Sequence, residues 1–194
     1  MTPSRNRLIT FSVAAAALVA GCGGGSPLDN AETVQNPKAT GGRKLSFIYF
    51  QKCIQPLLVT RITSAGGTNR CADSGCHDTV AGTGGALRVV PAVTDVDLSD
   101  PANTPDVIRQ SDMYKNFYST QGVTVIGAPS QSRLFQKPLL LNTLHGGGQI
   151  FDSQADPNAQ LIAYWINHPM PESQDEFSTA GNALLDPNTG ECLR

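Results

Sequence analysis

The short run from Cys71 to His77 most constrains what this chain can fold around. It reads Cys-Ala-Asp-Ser-Gly-Cys-His, so four residues separate the two cysteines and a histidine directly follows the second. A c-type haem needs two thiols for thioether bonds and an adjacent histidine for its iron, usually in the spacing Cys-x-x-Cys-His. The longer spacer can bulge between the thiols, and Gly75 favours such a turn. The run predicts one covalent haem c on Cys71 and Cys76, with His77 as the proximal iron ligand.

The N-terminus carries an export signal. Residues 1–21 have a positively charged start and an apolar stretch, the pattern of a signal peptide. The stretch ends in Val19-Ala20-Gly21-Cys22. This ending resembles a bacterial lipobox, which is cut before the cysteine and joined to a diacylglyceryl group through its sulfur. We expect lipidation at Cys22, with acyl chains holding the protein on a membrane. An ordinary cleavage that leaves Cys22 as a stray thiol is the alternative.

The residue after the lipobox cysteine bears on location. It is Gly23 and not aspartate, which by resemblance to Gram-negative lipoproteins indicates the outer membrane. The expected location is therefore extracytoplasmic and lipid-anchored, facing the periplasm or the cell surface. Residues 22–43 are polar and rich in glycine without periodicity, so we expect a flexible tether. The folded domain is expected over residues 44–194.

Composition excludes some classes of protein. Fourteen Lys and Arg against sixteen Asp and Glu give a net charge of −2, which argues against a strongly basic nucleic-acid binder. A hydrophobic fraction of 40% argues against a wholly disordered chain. The 19 glycines and 13 prolines indicate a loop-rich domain.

Two other interpretations of the cysteines in the domain remain open. One is a pair of disulfides, Cys71–Cys76 and Cys53–Cys192, which an exported domain permits. The other is a zinc site on Cys71, Cys76 and His77, although adjacent residues chelate a tetrahedral ion poorly and no fourth ligand is obvious. If haem takes Cys71 and Cys76, a disulfide between Cys53 and Cys192 would tie the two ends of the domain together.

The apolar periodicity predicts a mainly α fold, with three or four short helices in long loops around one haem. The expected helices are residues 46–58, residues 106–118, a short helix or turn at 130–137, and residues 158–167. Pro56 is expected to end or kink the first of them. Residues 63–70 are expected to form a polar loop, and residues 173–194 a loop that returns Cys192 to the body of the domain.

The order of motifs along residues 47–170 is familiar. The motifs are Phe50-x-x-Cys53-Ile54-x-Pro56, Cys71-x4-Cys76-His77, Gly85-Ala-Leu-Arg-Val89, Ser132-Arg-Leu134, His145-Gly-Gly-Gly148 and Leu161-Ile-Ala-Tyr-Trp-Ile166. In this order they resemble the single-haem cytochrome c domains of planctomycete and other environmental bacterial extracytoplasmic proteins. The chain departs from that pattern in its four-residue spacer, in an insert at 91–130, and in His-Pro-Met-Pro after the last motif.

The resemblance bears on the sixth iron ligand, opposite His77. In the similar domains the ligand loop lies between Ser-x-Leu and the closing helix, and that position holds His145. The resemblance therefore implies His145 as the distal ligand, with Met170, in a Met-Pro pair after the helix, as the alternative. Met113 fits the core face of a helix, and His168 fits a helix C-terminus. Arg133 and Lys137 are candidates for pairing with haem propionates.

The resulting prediction is a membrane-anchored monohaem c-type cytochrome that carries single electrons outside the cytoplasm and is not an enzyme. Its expected partners are redox proteins and the membrane. A haem enzyme or sensor with an open distal site is one alternative. A disulfide-stapled lipoprotein without haem, with a structural or binding role, is the other.

Overall fold

The fold was obtained as a computed structural model that describes residues 42–194, and this part of the chain is mainly α. The α-helices are α1 (Phe47–Tyr49), α2 (Gln55–Val59), α3 (Pro105–Ile108), α4 (Asp112–Gln121), α5 (Arg133–Gln136) and α6 (Pro157–Asn167). One antiparallel pair of strands, β1 (Ile62–Ser64) and β2 (Gly67–Asn69), forms a hairpin. In residues 42–194 no helix has the length and apolarity to cross a membrane. The signal peptide, Cys22 and nearly all of the tether lie outside the described residues.

The opening helix does not end at its proline. A π-helical turn, Phe50–Ile54, joins α1 to α2, and the N–H of Gln55 bonds to the carbonyl of Phe50. Proline lacks an N–H and crowds the carbonyl four residues earlier. The π-helical turn ends at Ile54, two residues before Pro56, and the chain stays helical to Val59. Ser46 caps the start, since its hydroxyl accepts from the N–H of Tyr49 at 3.2 Å.

The second predicted helix is two helices in the structure. Residues 109–111 separate α3 from α4. The hydroxyl of Ser111 accepts from the N–H of Tyr114 at 3.1 Å, so this serine caps a new helix. Helical apolar spacing alone did not reveal the break, because Ser111 is compatible with a helix interior as well as with a cap. The closing helix agrees with its prediction and is capped by Asp156.

The polar loop expected at 63–70 is instead the β1–β2 hairpin. Ile62 lies opposite Asn69, and the side chains of Thr63 and Thr68 are hydrogen bonded at 2.9 Å. The strands are short, and none of their residues is buried. They therefore lack the apolar alternation by which a strand is recognised in sequence.

Aromatic side chains from three separate segments build the core. Phe50, Phe117 of α4 and Trp165 of α6 are buried, and their ring centres lie 5.4 to 6.1 Å apart. The indole N–H of Trp165 donates to the carbonyl of Ser46 at 3.0 Å. Because Phe117 belongs to the insert at 91–130, that insert is part of the core and not an appended loop.

The C-terminal segment returns to the opening helix through a disulfide. Cys53 and Cys192 are bonded, with Cα atoms 5.9 Å apart and 139 positions between them in sequence. The hydroxyl of Tyr49, one turn before Cys53, donates to the carbonyl of Leu193 at 2.5 Å. The pairing expected from the sequence is thus present, and the last residues are held to the core at two neighbouring points.

A buried carboxylate joins the C-terminal segment to the insert. Glu176 is 4% exposed, and one of its oxygens accepts from the guanidinium of Arg109 at 3.1 and 3.2 Å and from the hydroxyl of Tyr114 at 2.9 Å. The guanidinium also lies over the ring of Phe177, 5.2 Å from its centre. Burial raises the pKa of Glu176, but its hydrogen bonds outweigh burial and hold the pKa below the usual value.

We expect Glu176→Gln to lower the free energy of unfolding at pH 7 by about 2 kcal/mol, because hydrogen bonds to a charged group are the stronger ones. The folded-state pKa lies below that of the unfolded chain, so the carboxylate's contribution is present above pH about 4.3 and is lost as the pH falls through the folded-state value. The difference between wild type and variant should therefore shrink below that pH in urea unfolding curves. Glu172→Gln, at an exposed ion pair, is the control and should change little. An equal loss in both variants would contradict the prediction.

Candidate functional site

The thiol-bearing run begins directly after the hairpin and is fixed by main-chain bonds. The N–H of Ala72 bonds to the carbonyl of Leu58 at 2.9 Å, which attaches the run to the end of α2. The carbonyl of Cys71 accepts from the N–H of His77 at 2.9 Å, and the carbonyl of Asp73 accepts from Cys76 at 2.8 Å. These bonds close the four-residue spacer into a compact turn that brings both cysteines and the histidine into one loop.

Cys71 and Cys76 are free thiols in the structure. Burial, followed by the neighbouring Cys76, raises the pKa of Cys71 to about 11, so this thiol is protonated at neutral pH. Within residues 42–194, no three His, Cys, Asp or Glu side chains are grouped to hold a metal ion. The four ligands of a tetrahedral zinc site are thus not assembled there.

His77 lies in a pocket that fixes its ring. It is 9% exposed, and its Nδ1 lies 3.1 Å from the carbonyl oxygen of Leu87. A Cβ on Gly84 would lie 2.5 Å from the same nitrogen, so the ring packs against a backbone that must be glycine. Burial lowers the pKa of His77, and the charges of His145, Arg88 and Lys137 act in the same direction.

The peptide group between Leu87 and Arg88 connects His77 to α4. Its carbonyl is the one that contacts His77, and its N–H donates to the hydroxyl of Ser119 at 2.7 Å. The side chain of Asn116 accepts from the N–H of Val90 at 2.7 Å and donates back to its carbonyl at 3.0 Å. The insert at 91–130 therefore supports the side of the site that carries His77, as well as the core.

His145 faces the same space from a glycine-rich loop. Its Nδ1 lies 2.8 Å from the carbonyl oxygen of Gly148, which has a φ of +72°. A residue with a side chain is strained at that φ, so a glycine suits the position. In each histidine an Nδ1–H donated to a carbonyl leaves the lone pair of Nε2 free for a metal.

The two rings have the separation that a shared iron requires. Their centres lie 6.2 Å apart, and the angle between their planes is 17°. Two imidazoles on opposite sides of one metal need centres about 6 Å apart, because each metal–nitrogen bond is about 2 Å and each nitrogen lies about 1 Å from its ring centre. The separation of the ring centres is thus the one that two imidazoles would have if both bound one metal.

The space between these histidines is a cleft with largely apolar walls. Its volume is about 120 Å³, which is less than the range of about 300–1,000 Å³ typical of cofactor sites. Its lining includes Leu57, Leu58, Leu87, Val123, Leu134, Phe151 and Ile162. A second cleft shares both histidines and Cys71 and adds Cys76. This second cleft has a volume of about 390 Å³, within that range, and its two thiols beside the apolar wall are the groups that a covalently attached macrocycle would use.

Two cations lie at the wall of the cleft. Arg133 is the first residue of α5, and Lys137 directly follows its last residue. Both residues line the cleft. Neither forms an ion pair with any residue in the described range 42–194. Their charges are thus available to acidic groups of a bound ligand.

The other candidate ligands lie elsewhere. Met170 is 2% exposed, and its N–H bonds to the carbonyl of Lys44 at 2.7 Å, while the cleft around it is lined by neither His77 nor His145. Met113 is buried in the core on α4. His168 is exposed, with its ring 3.9 Å from that of Tyr164. The structure thus brings His145, and none of these three, to His77.

Sequence reasoning missed the groups that orient the histidines. The carbonyls of Leu87 and Gly148 have no side-chain signature, and neither has the bare backbone of Gly84. The glycine runs at 84–85 and 146–148 were the available signal, because close backbone approach selects glycine.

Comparison with known proteins adds no relative. No protein-family model, curated protein or solved structure matches the chain.

Proposed function

We propose that the protein is a membrane-anchored monohaem c-type cytochrome that carries single electrons outside the cytoplasm. In this proposal Cys71 and Cys76 attach the haem, His77 and His145 bind its iron, and Cys22 carries the lipid anchor. Redox proteins are the expected partners. The observation that carries the proposal is the pair of near-parallel imidazoles with centres 6.2 Å apart, beside two free thiols.

The residues of the chain have separate tasks in this proposal. When bound, the haem supplies the one-electron couple of its iron, and the protein sets potential and access. Leu87 and Gly148 accept from Nδ1–H of the two histidines, which leaves the lone pair of each Nε2 free to bind the iron. The apolar wall excludes water, while Arg133 and Lys137 supply positive charge for the propionates.

An electron carrier fits this arrangement better than an enzyme. If His77 and His145 both bound the iron, no position would be free for a substrate, and ligation by two histidines would favour a lower potential than ligation by histidine and methionine. A peroxidase or sensor needs an open distal position. The flexible tether that the sequence predicts over residues 22–43 would allow the site to reach partners near the membrane surface.

The deciding experiment is a pyridine haemochrome spectrum with intact mass, on protein made with the cytochrome c maturation machinery. The proposal expects a c-type α band and the added mass of one haem. A mass without haem, lowered by two hydrogens for each disulfide, would overturn it and leave a disulfide-bonded lipoprotein.

We expect Cys76→Ala and Cys71→Ala each to remove one thioether bond and to lower the yield of covalent haem sharply, because attachment uses both thiols. Haem-stained gels and intact mass measure this loss. Ser74→Ala, an exposed change in the same loop, is the matched control and should keep full attachment. Full attachment in both cysteine variants would contradict the assignment of these thiols.

A further inference from the structure

The turn of the β1–β2 hairpin touches the chain just beyond His145. The hydroxyl of Ser64 donates to the carbonyl of Gln149 at 2.9 Å. The N–H of Ala65 donates to a carboxylate oxygen of Asp152, also at 2.9 Å. A Cβ on Gly66 would lie 2.5 Å from the same Gln149 carbonyl oxygen, so the two backbones are in direct contact.

This contact connects the two sides of the site by a short path. Cys71 comes two residues after the end of β2. Gln149 directly follows Gly148, whose carbonyl orients the ring of His145. The hairpin is short and regularly paired, so it is a stiff connection between the thiol-bearing run and the loop that carries His145.

The loop has few other hydrogen-bonded anchors. The bonds between His145 and Gly148 lie within the loop itself. The N–H groups of Ile150 and Phe151 bond to the carbonyl of Pro138, at the other end of the same loop. The side chain of Gln149 donates to the carbonyls of Phe151 and Asp152, again within the loop. In the described part of the chain, the other hydrogen bonds that residues 145–152 make are those with the hairpin turn. The hairpin turn thus links residues 145–152 by hydrogen bonds to the segment that leads to Cys71 and His77.

We propose that the hairpin turn, residues 64–66, is a positioning element that holds His145 at its distance from His77 and so keeps the distal position closed. This inference rests on the proposed function for the role of His145. Ser64 acts through Gln149 by a hydrogen bond, and Gly66 acts by leaving room for the close approach. Weakening either contact frees the loop, and the distal position then opens to small external ligands.

The test compares Ser64→Ala and Gly66→Ala with Thr63→Ala in the haem-loaded protein. Thr63 lies next to Ser64, is exposed, and contacts Thr68 within the hairpin only. We expect carbon monoxide to bind the reduced Ser64 and Gly66 variants about tenfold more tightly than it binds wild type, the change expected when a hydrogen-bonded anchor is lost. Thr63→Ala should bind carbon monoxide as wild type does. The rise in carbon monoxide affinity in the other two variants should not follow the order of their thermal midpoints. Carbon monoxide affinities equal in all four proteins would overturn the proposal.

A second measurement separates this inference from the proposed function. Amide hydrogen exchange of residues 145–152, in protein made without the maturation machinery, measures directly how readily the loop opens. We expect faster exchange in Gly66→Ala and Ser64→Ala than in Thr63→Ala, and equal rates would again overturn the inference. Wild type that acquires no haem in the maturation host would overturn the proposed function, while faster exchange would still support the hairpin as the anchor of the loop.

Discussion

In the haem-loaded protein proposed above, replacing His145 by alanine is expected to convert a low-spin spectrum into one typical of an open iron and to let carbon monoxide bind the reduced protein. The physical reason is the loss of the imidazole that faces His77 with ring centres 6.2 Å apart. Carbon monoxide affinity should rise about 100-fold, since the fraction of protein with an open sixth position rises from about one per cent to nearly all of it. Optical titration of the reduced protein measures the change.

Two control variants make this result specific. His168→Ala removes an exposed ring that stacks on Tyr164, and it should leave spectrum and affinity unchanged. Met170→Ala shortens a side chain buried outside the cleft, and it should cost stability without altering the spectrum. If Met170→Ala changes the reduced spectrum and His145→Ala does not, the distal ligand is methionine.

Replacing both Cys53 and Cys192 by alanine is expected to lower the free energy of unfolding by about 3–5 kcal/mol, because the bond closes a very long loop in the unfolded chain. The two residues are 139 positions apart in sequence. Urea unfolding of wild type and the double variant measures the difference. Changing both cysteines together avoids a stray thiol.

Reductant provides an internal control for the disulfide. Wild type treated with a strong thiol reductant should unfold at the urea concentration of the double variant, while the variant itself should not respond. A difference below about 1 kcal/mol would mean that the hydroxyl of Tyr49 and the packing of the last residues already hold the C-terminus, without the covalent bond.

Much of the candidate site is encoded in short stretches of sequence. Cys71, Cys76 and His77 lie in one loop because they are neighbours in the chain, so their proximity needed no tertiary information. The closing helix was predictable for the same reason, since Asp156 and the apolar positions after it act within one or two turns. The break before α4 was missed because its signal has two meanings: Ser111 caps a helix where none was expected to begin. Pro56 was expected to end or kink the first helix, and the structure has a π turn just before it in a helix that continues.

The pairing of Cys53 with Cys192 was predicted from the sequence only as one of several possibilities. Cysteine counting proposed it, because the other two cysteines were needed beside His77, yet counting alone also allowed Cys71 to pair with Cys76. The structure makes the first bond and leaves the other two thiols free. Both arrangements contain the Cys53–Cys192 bond, so the free thiols of Cys71 and Cys76 are what separates them.

Sequence alone specified the thiol-bearing run, the closing helix and a mainly α chain, because each depends on residues a few positions apart. Tertiary structure decided that His145 and not Met170 faces His77, that the insert at 91–130 completes the core, and that a polar hairpin meets the distal loop. These contacts join residues far apart in the chain, and backbone carbonyls and absent side chains make several of them. Such groups have no residue type of their own, so only the folded geometry reveals them.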